Sequence, residues 1–242
     1  MVKIIAMVVV KNEAHRYLSA FIEWTKTFTD EIAIYDDRST DGSVDIALRK
    51  GCLTAVRFPD DPSFLEHEGR FRENAWRWMS TATGATEGDW VFSLDADEFF
   101  VDERGERQGL EADIVGIPAD ASLSFGIPEI FDQVEGDGIA ALYQRVDGWW
   151  GAIRGQRLAP WTSGATFPDR SMGCGSVPMG SRSGLEFRGS GSILHFGYLD
   201  PEDRLAKYRR YQELPGHSSK HIESIVQEPK LELWQGPLPF RT

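Results

Sequence analysis

The stretch DWVFSLDADEFF, residues 89–100, sets Asp95, Asp97 and Glu98 directly after an apolar run and directly before two phenylalanines. Carboxylates this close repel one another unless positive charge lies between them. A hard divalent cation would supply that charge. Magnesium and manganese take oxygen ligands and leave positions open for phosphate oxygens. A solvated acidic loop is the plain alternative, but the flanking aromatics point to a partly enclosed site. In an extended chain residues two apart point the same way, so Asp95 and Asp97 are expected to share a face, with Glu98 pointing elsewhere. A second acidic pair, Asp36 and Asp37, closes the apolar run EIAIYD.

Other chemistries fit less well. DRSTDG, from Asp37 to Gly42, starts like a calcium loop, but the twelfth position is Leu48 where a bidentate glutamate is required. Asp41 reads better as the cap of a following helix. KNEAH after the first apolar run carries no glycine fingerprint for a dinucleotide, and there is no P-loop. The same gap disfavours a nucleotidyltransferase, which needs a glycine-rich basic loop there to hold a triphosphate.

The elements that must position these acids are regular over the first hundred residues. KIIAMVVV, EIAIYD, LTAVRF and WVFSL read as strands, the first buried on both faces. Asn12 is expected to cap a helix with an apolar stripe of Leu18, Phe21, Ile22 and Phe28. STDGSVDIALRKG reads as a turn and a short helix closed by Gly51. Residues 67–83 suit a third helix, with Phe71, Ala75, Trp78, Met79 and Ala82 on one face. This alternation predicts an α/β fold with a mostly parallel sheet and right-handed crossovers. Ligands bind beyond the carboxyl ends of such strands, where both acidic pairs fall. The second half is looser. Glycine is dense in GWWGAIRG, SMGCGSVPMGSRSG and RGSGS, which read as loops and short strands. PEDRLAKYRRYQE, residues 201–213, reads as a charged helix with Pro201 in its first turn. The proline-containing tail is expected to lie extended across the body. No domain boundary stands out within residues 1–242.

Composition narrows the partners. A net charge of −12 disfavours nucleic acid, whose phosphates need a basic footprint. Cys52 and Cys174 are too few for a disulfide framework or a zinc site. The run IIAMVVV is too short to span a bilayer and has no cleavage site behind it. The expectation is a cytoplasmic protein with no membrane span.

VVVKNEAHRYLSAFIEW, EIAIYDDRSTDGS and DWVFSLDADEFF, in this order and spacing, resemble the three successive signatures of family 2 glycosyltransferases with the GT-A fold. SILHFGYLDPEDRLAKYRRY resembles a C-terminal segment of one branch of that family, whereas residues 105–185 align with nothing familiar. The resemblance implies one GT-A domain, with a nucleotide-binding half at 1–104 and an acceptor-binding half at 105–242. It implies transfer of a sugar from a nucleotide-diphosphate sugar to a hydroxyl of a glycan, lipid or protein acceptor. Asp36 or Asp37 would accept the N3–H of a uridine- or thymidine-type base, and Glu13 would contact the nucleoside. Asp97 would ligate Mn2+ or Mg2+, with Asp95 nearer the ribose or the metal's waters. His195 would complete the coordination, the alternative being a purely structural histidine. Arg70 or Arg72 would face the diphosphate, unless they form a solvated helix face. Lys207 and Arg209 carry the same alternative, though their place after His195 favours closing over the diphosphate. Trp149 and Trp150 would stack on a sugar or pack in the core. Inversion needs a carboxylate to take the acceptor's proton. Asp169 is the first candidate, with Glu186 or Glu129 behind it. Related sequences often carry a His-Glu pair near this point, and SMGCGSVP has none. That departure leaves open a retaining mechanism, an unusual base or a weakened enzyme, with a catalytically weakened nucleotide-sugar-binding protein as the alternative.

Overall fold

A computed structural model describes residues 2–136, 139–170, 174–180, 186–213 and 220–239. The parts of the glycine-rich stretch at 171–173 and 181–185 lie outside them. Strand β1 (Ile4–Val10) is apolar throughout, and every residue but Val9 is buried. It pairs in parallel with β2 (Glu31–Asp36) on one side and β4 (Trp90–Asp95) on the other, and β3 (Leu53–Val56) extends the sheet beyond β2. Alternate residues of β1 serve opposite faces, as the pleat requires. Ile4, Ala6 and Val8 join Leu18, Phe21 and Ile22 of α1 (Leu18–Thr25) and Ala47 of α2 (Ser43–Arg49). Ile5 and Met7 meet Phe71, Ala75, Trp76 and Met79 of α3 (Glu68–Thr83).

The sheet does not stop at β4. It has eight strands in the order β3-β2-β1-β4-β9-β6-β10-β5, built with β5 (Glu98–Val101), β6 (Ser122–Gly126), β9 (Arg154–Pro160) and β10 (Glu186–His195). β9 is antiparallel to β4 and to β6, and β5 is antiparallel to β10, while β10 runs parallel to β6. Six of the eight strands therefore share one direction, which bears out the mostly parallel sheet. Helix α4 (Glu106–Ile114) packs Leu110 and Ile114 into the α1 side. A separate antiparallel sheet joins β7 (Ile130–Gly136), β8 (Ile139–Arg145) and β11 (Leu231–Leu233), so the tail is pinned as a strand. Helices α5 (Pro201–Glu213) and α6 (Lys220–Ser224) lie between β10 and that strand in sequence. Among the described residues no helix is long and apolar enough to cross a membrane.

Three local expectations change. Asn12 does not cap α1, whose N-terminal flank is Tyr17 with no side-chain cap. Asn12 instead takes a positive φ of 56°, a conformation asparagine tolerates. It donates its N–H to Ser39 Oγ and accepts the Thr40 N–H at Oδ1, tying the loop after β1 to the loop after β2. On α3 the buried face takes Trp76 and Thr83 in place of Ala82, which is exposed, while Trp78 is half-buried against Tyr35. RGSGS, expected among loops and short strands, is the middle of the ten-residue strand β10. A Cβ on Gly189 would fall 2.1 Å from the Phe125 ring, and one on Gly191 2.4 Å from the Phe100 ring. These glycines make room for aromatic rings beneath the strand.

Candidate functional site

The parallel pairing sets Val10 beside Asp36 and Val9 beside Asp95, so the carboxyl ends of β1, β2 and β4 form one edge. β10 runs the same way and ends at His195 on that edge. The chain does not stay extended past Asp95. Ala96 and Asp97 turn it back into β5, whose first residue Glu98 is in register with His195. The Phe196 N–H donates to the Asp97 carbonyl at 2.9 Å. The two aspartates consequently have different neighbours, contrary to the expectation from alternation. Asp95 lies 3.8 Å from the buried Arg72 guanidinium, and Asp97 faces His195, with Nε2 3.5 Å from Oδ1. Glu98 does point elsewhere. It is buried, paired with Arg157 at 2.7 Å, and accepts the Asp95 N–H.

Around Asp97 the side chains are close. His195 Nδ1 is 2.5 Å from Glu129 Oε2, and Tyr198 meets the imidazole edge-on at 5.4 Å. Lys207 Nζ lies 4.1 Å from the centre of the Tyr198 ring. Arg16 joins three acids: Glu13 at 2.9 Å, Asp203 of α5 at 2.9 Å, and Asp97 at 3.8 Å. Burial would raise the Asp97 carboxyl, but His195, Lys207 and Arg16 outweigh it and hold Asp97 well below the usual carboxylate range. Burial opposes charge on His195 as well, yet Glu129 and Asp97 together raise its pKa well above the ordinary histidine value. Glu13 moves the other way. Burial lifts it to about 7, with Arg16 opposing and Asp97 and Asp95 adding to the rise.

On the β2 side the two aspartates separate by their partners. Asp37 accepts from Arg57 Nε at 2.5 Å and from the Phe64 N–H at 3.2 Å, so both its oxygens are engaged. Asp36 accepts the Ser39 N–H at Oδ1, whereas Oδ2 is buried without a hydrogen-bond partner. Lys11 donates its ammonium to the Asp37 and Arg38 carbonyls.

The remaining candidates fall as follows. Arg72 is buried against Glu68, Asp95 and the Phe64 ring, while Arg70 is exposed. Lys207 reaches the Asp97 side and Arg209 is exposed on α5. Trp150 packs with Phe131 and Tyr198 in a satellite core, and Trp149 is largely exposed. The three carboxylates considered as proton acceptors have other places. Asp169 has an 83% exposed side chain and pairs with His67 at 2.8 Å, because Pro168 is packed against Gly69 at the start of α3. Glu186 is exposed at the start of β10, and Glu129 is engaged by His195. Arg16 and Arg157 were not foreseen. Arg16 stands three residues after Glu13, a spacing that could have flagged the pair; nothing local marks Arg157.

No protein-family model matches the chain. A protein of Rickettsia conorii described as an uncharacterized glycosyltransferase is 33% identical over 96 residues, covering 40% of this chain and 29% of that protein. A Rickettsia prowazekii protein described in the same words is 34% identical over 98 residues, again 40% and 29%. The sequence likeness is to glycosyltransferases. The chain aligns with less than a third of each relative's length. Among solved structures, mannosyl-3-phosphoglycerate synthase from Rubrobacter xylanophilus aligns over 54% of this chain and 41% of its own, at 18% identity and a TM-score of 0.37. Glucosyl-3-phosphoglycerate synthase from Mycobacterium tuberculosis, solved with Mn2+, uridine diphosphate and glucosyl-3-phosphoglycerate, aligns over 52% and 44%, at 20% identity and a TM-score of 0.34. Both structural likenesses are too slight to carry a function.

The residues around Asp97 fit a divalent cation. An ideal Cβ on Gly197 would stand 2.5 Å from His195 Nε2, 2.7 Å from Asp97 Oδ2 and 3.0 Å from Lys207 Nζ, so the missing side chain leaves a small polar cradle. Among the described residues no group of three or more metal-binding side chains exists. Two ligands suit a cation that fills its remaining positions with water and phosphate oxygens.

Proposed function

We propose that the chain is a metal-dependent glycosyltransferase of the family 2, GT-A type, acting on a nucleoside-diphosphate sugar with a uridine-type base. The observation that carries this reading is the Asp97–His195 pair around the Gly197 cradle, on the same sheet edge as Asp36 and Glu13. The chain's likeness to proteins described as glycosyltransferases agrees with it. Asp97 and His195 would hold Mn2+ or Mg2+, which would neutralise charge gathering on the departing diphosphate. Lys207 would add positive charge beside that diphosphate, with Asp95 near the ribose. Asp36 is the better candidate for the base N3–H, because Oδ2 still lacks a donor and Asp37 is taken by Arg57. Glu13 would meet the nucleoside from the loop after β1.

The test is a thermal-shift and calorimetric panel of nucleoside diphosphates with and without Mn2+. Selective, Mn2+-dependent stabilisation by uridine diphosphate, lost in Asp97→Ala, is expected. Binding that ignores both the metal and Asp97 would sink the reading. A second reading, a nucleotide-sugar-binding protein without transferase activity, is favoured by the other engagements of Asp169 and Glu129. Release of uridine diphosphate from its glucose and galactose conjugates in the presence of Mn2+ separates the two.

A further inference from the structure

Glu129 was a candidate for the proton acceptor, and the structure gives it a different environment. Its side chain is 7% exposed, and Oε2 stands 2.5 Å from His195 Nδ1. The backbone on both sides is fixed. Pro128 accepts the His195 N–H at 3.0 Å, Glu129 accepts the Arg145 N–H at 3.0 Å, and Glu129 forms a parallel bridge with His195. On the opposite side of the ring, Nε2 faces Asp97 Oδ1 at 3.5 Å and the Gly197 cradle.

We propose that Glu129 is a positioning residue that holds the Nδ1 proton of His195, so that Nε2 is the nitrogen that releases its proton and offers its lone pair when a cation enters the cradle shared with Asp97. This rests on the reading of Asp97 and His195 as cation ligands. Which imidazole nitrogen carries the proton is set by the hydrogen bond the other makes. A carboxylate behind a metal-bound histidine fixes its tautomer and raises its basicity, and loss of such a partner commonly costs 10–100-fold in metal affinity. Serving instead as the acceptor's base would require an oxygen open to substrate, and the Glu129 side chain is 7% exposed with Oε2 held by the ring.

The experiment measures Mn2+ affinity by electron paramagnetic resonance, with uridine diphosphate present, in the parent, Glu129→Gln and Glu129→Leu. The 15N shifts of His195 are read in the Mg2+–uridine diphosphate form. Glutamine still accepts from Nδ1–H, so the nitrogen pattern should persist with an affinity loss of less than about tenfold. Leucine should lose the pattern and about 10–100-fold in affinity, while uridine diphosphate binding without metal stays as in the parent. Leucine-variant affinity within twofold of the parent overturns the inference and leaves the metal reading intact, whereas a proton on Nε2 in the Mg2+–uridine diphosphate form of the parent overturns the inference and removes His195 from the cation's ligands. A parent that binds no Mn2+ with uridine diphosphate present overturns both.

Discussion

Replacing Gly197 with alanine probes the centre of the site with a single carbon. Gly197 is buried, and its φ lies outside the left-handed region, so alanine strains contacts and not backbone. The new carbon would start 2.5 Å from His195 Nε2 and 2.7 Å from Asp97 Oδ2. Unstrained carbon contacts sit at roughly 3.5–4.0 Å, so each ligand has to retreat by about 1 Å. Overpacking of this kind costs about 1–3 kcal/mol. In a chain of this length that lowers the melting temperature by about 2–4 °C per kcal/mol. The larger effect falls on ligands. At a hundredfold excess over its dissociation constant, Mn2+ with uridine diphosphate should stabilise the parent by about 2.7 kcal/mol. That corresponds to about 5–11 °C in a melting scan. Gly197→Ala should melt cooperatively and show none of this gain, with Mn2+ affinity measured independently by electron paramagnetic resonance. A folded variant that binds Mn2+ and uridine diphosphate within twofold of the parent would refute the cradle.

Three further outcomes are expected. Asp36→Asn should weaken uridine diphosphate with little change in stability, whereas Asp37→Ala should cost about 3–5 kcal/mol in urea denaturation by stranding the nearly buried Arg57; the reverse pattern would exchange their roles. Arg157→Met leaves the buried Glu98 charge uncompensated and should also cost about 3–5 kcal/mol; adding Glu98→Gln should recover part of it, and strict additivity in the double-mutant cycle would deny the pairing. Asp147 is held at about 2 by hydrogen bonds from Arg145, below the ordinary aspartate value, so its contribution is present above about pH 4 and lost as pH falls through about 2. The stability difference between the parent and Asp147→Asn should shrink over that window, and a difference independent of pH would contradict it.

How far the sequence could be read depended on where each partner lies along the chain. β1 is legible because its composition and burial agree residue by residue. The place of Asp36 and Asp97 at one edge follows from parallel strands alone. The choice between Asp36 and Asp37 was not legible, because it turns on Arg57 and the Phe64 N–H, which the fold brings in from beyond the next strand. RGSGS read as a loop or short strand because glycine weakens strands. The rings of Phe125 and Phe100 that demand it come from β6 and β5 and leave no trace in the local pattern. Asp95 and Asp97 were expected on one face because the chain was taken as extended, yet the turn at Ala96 exists to start β5 against β10. His195 was nameable by its type, but its approach to Asp97 is fixed by that same pairing.

The three acids after β4 raise the question of what neutralises each, and the site answers it unevenly. Glu98 has Arg157 at hydrogen-bond distance, and Arg72 lies near Asp95 while donating to Glu68. Arg16 gives its short contacts to Glu13 and Asp203 and stands 3.8 Å from Asp97. Asp95 and Asp97 are thus alike in having an arginine at 3.8 Å that donates elsewhere, and Asp97 differs in that its closest ionic neighbour is a histidine already held by Glu129. A buried carboxylate needs a compensating charge. His195, Lys207 and Arg16 supply it for Asp97, and the small space bounded by Asp97, His195 and Lys207 is where a cation and the phosphate it carries would take over part of that role. The same reasoning explains why Gly197 has no side chain, since any carbon there would occupy the point at which these three groups converge.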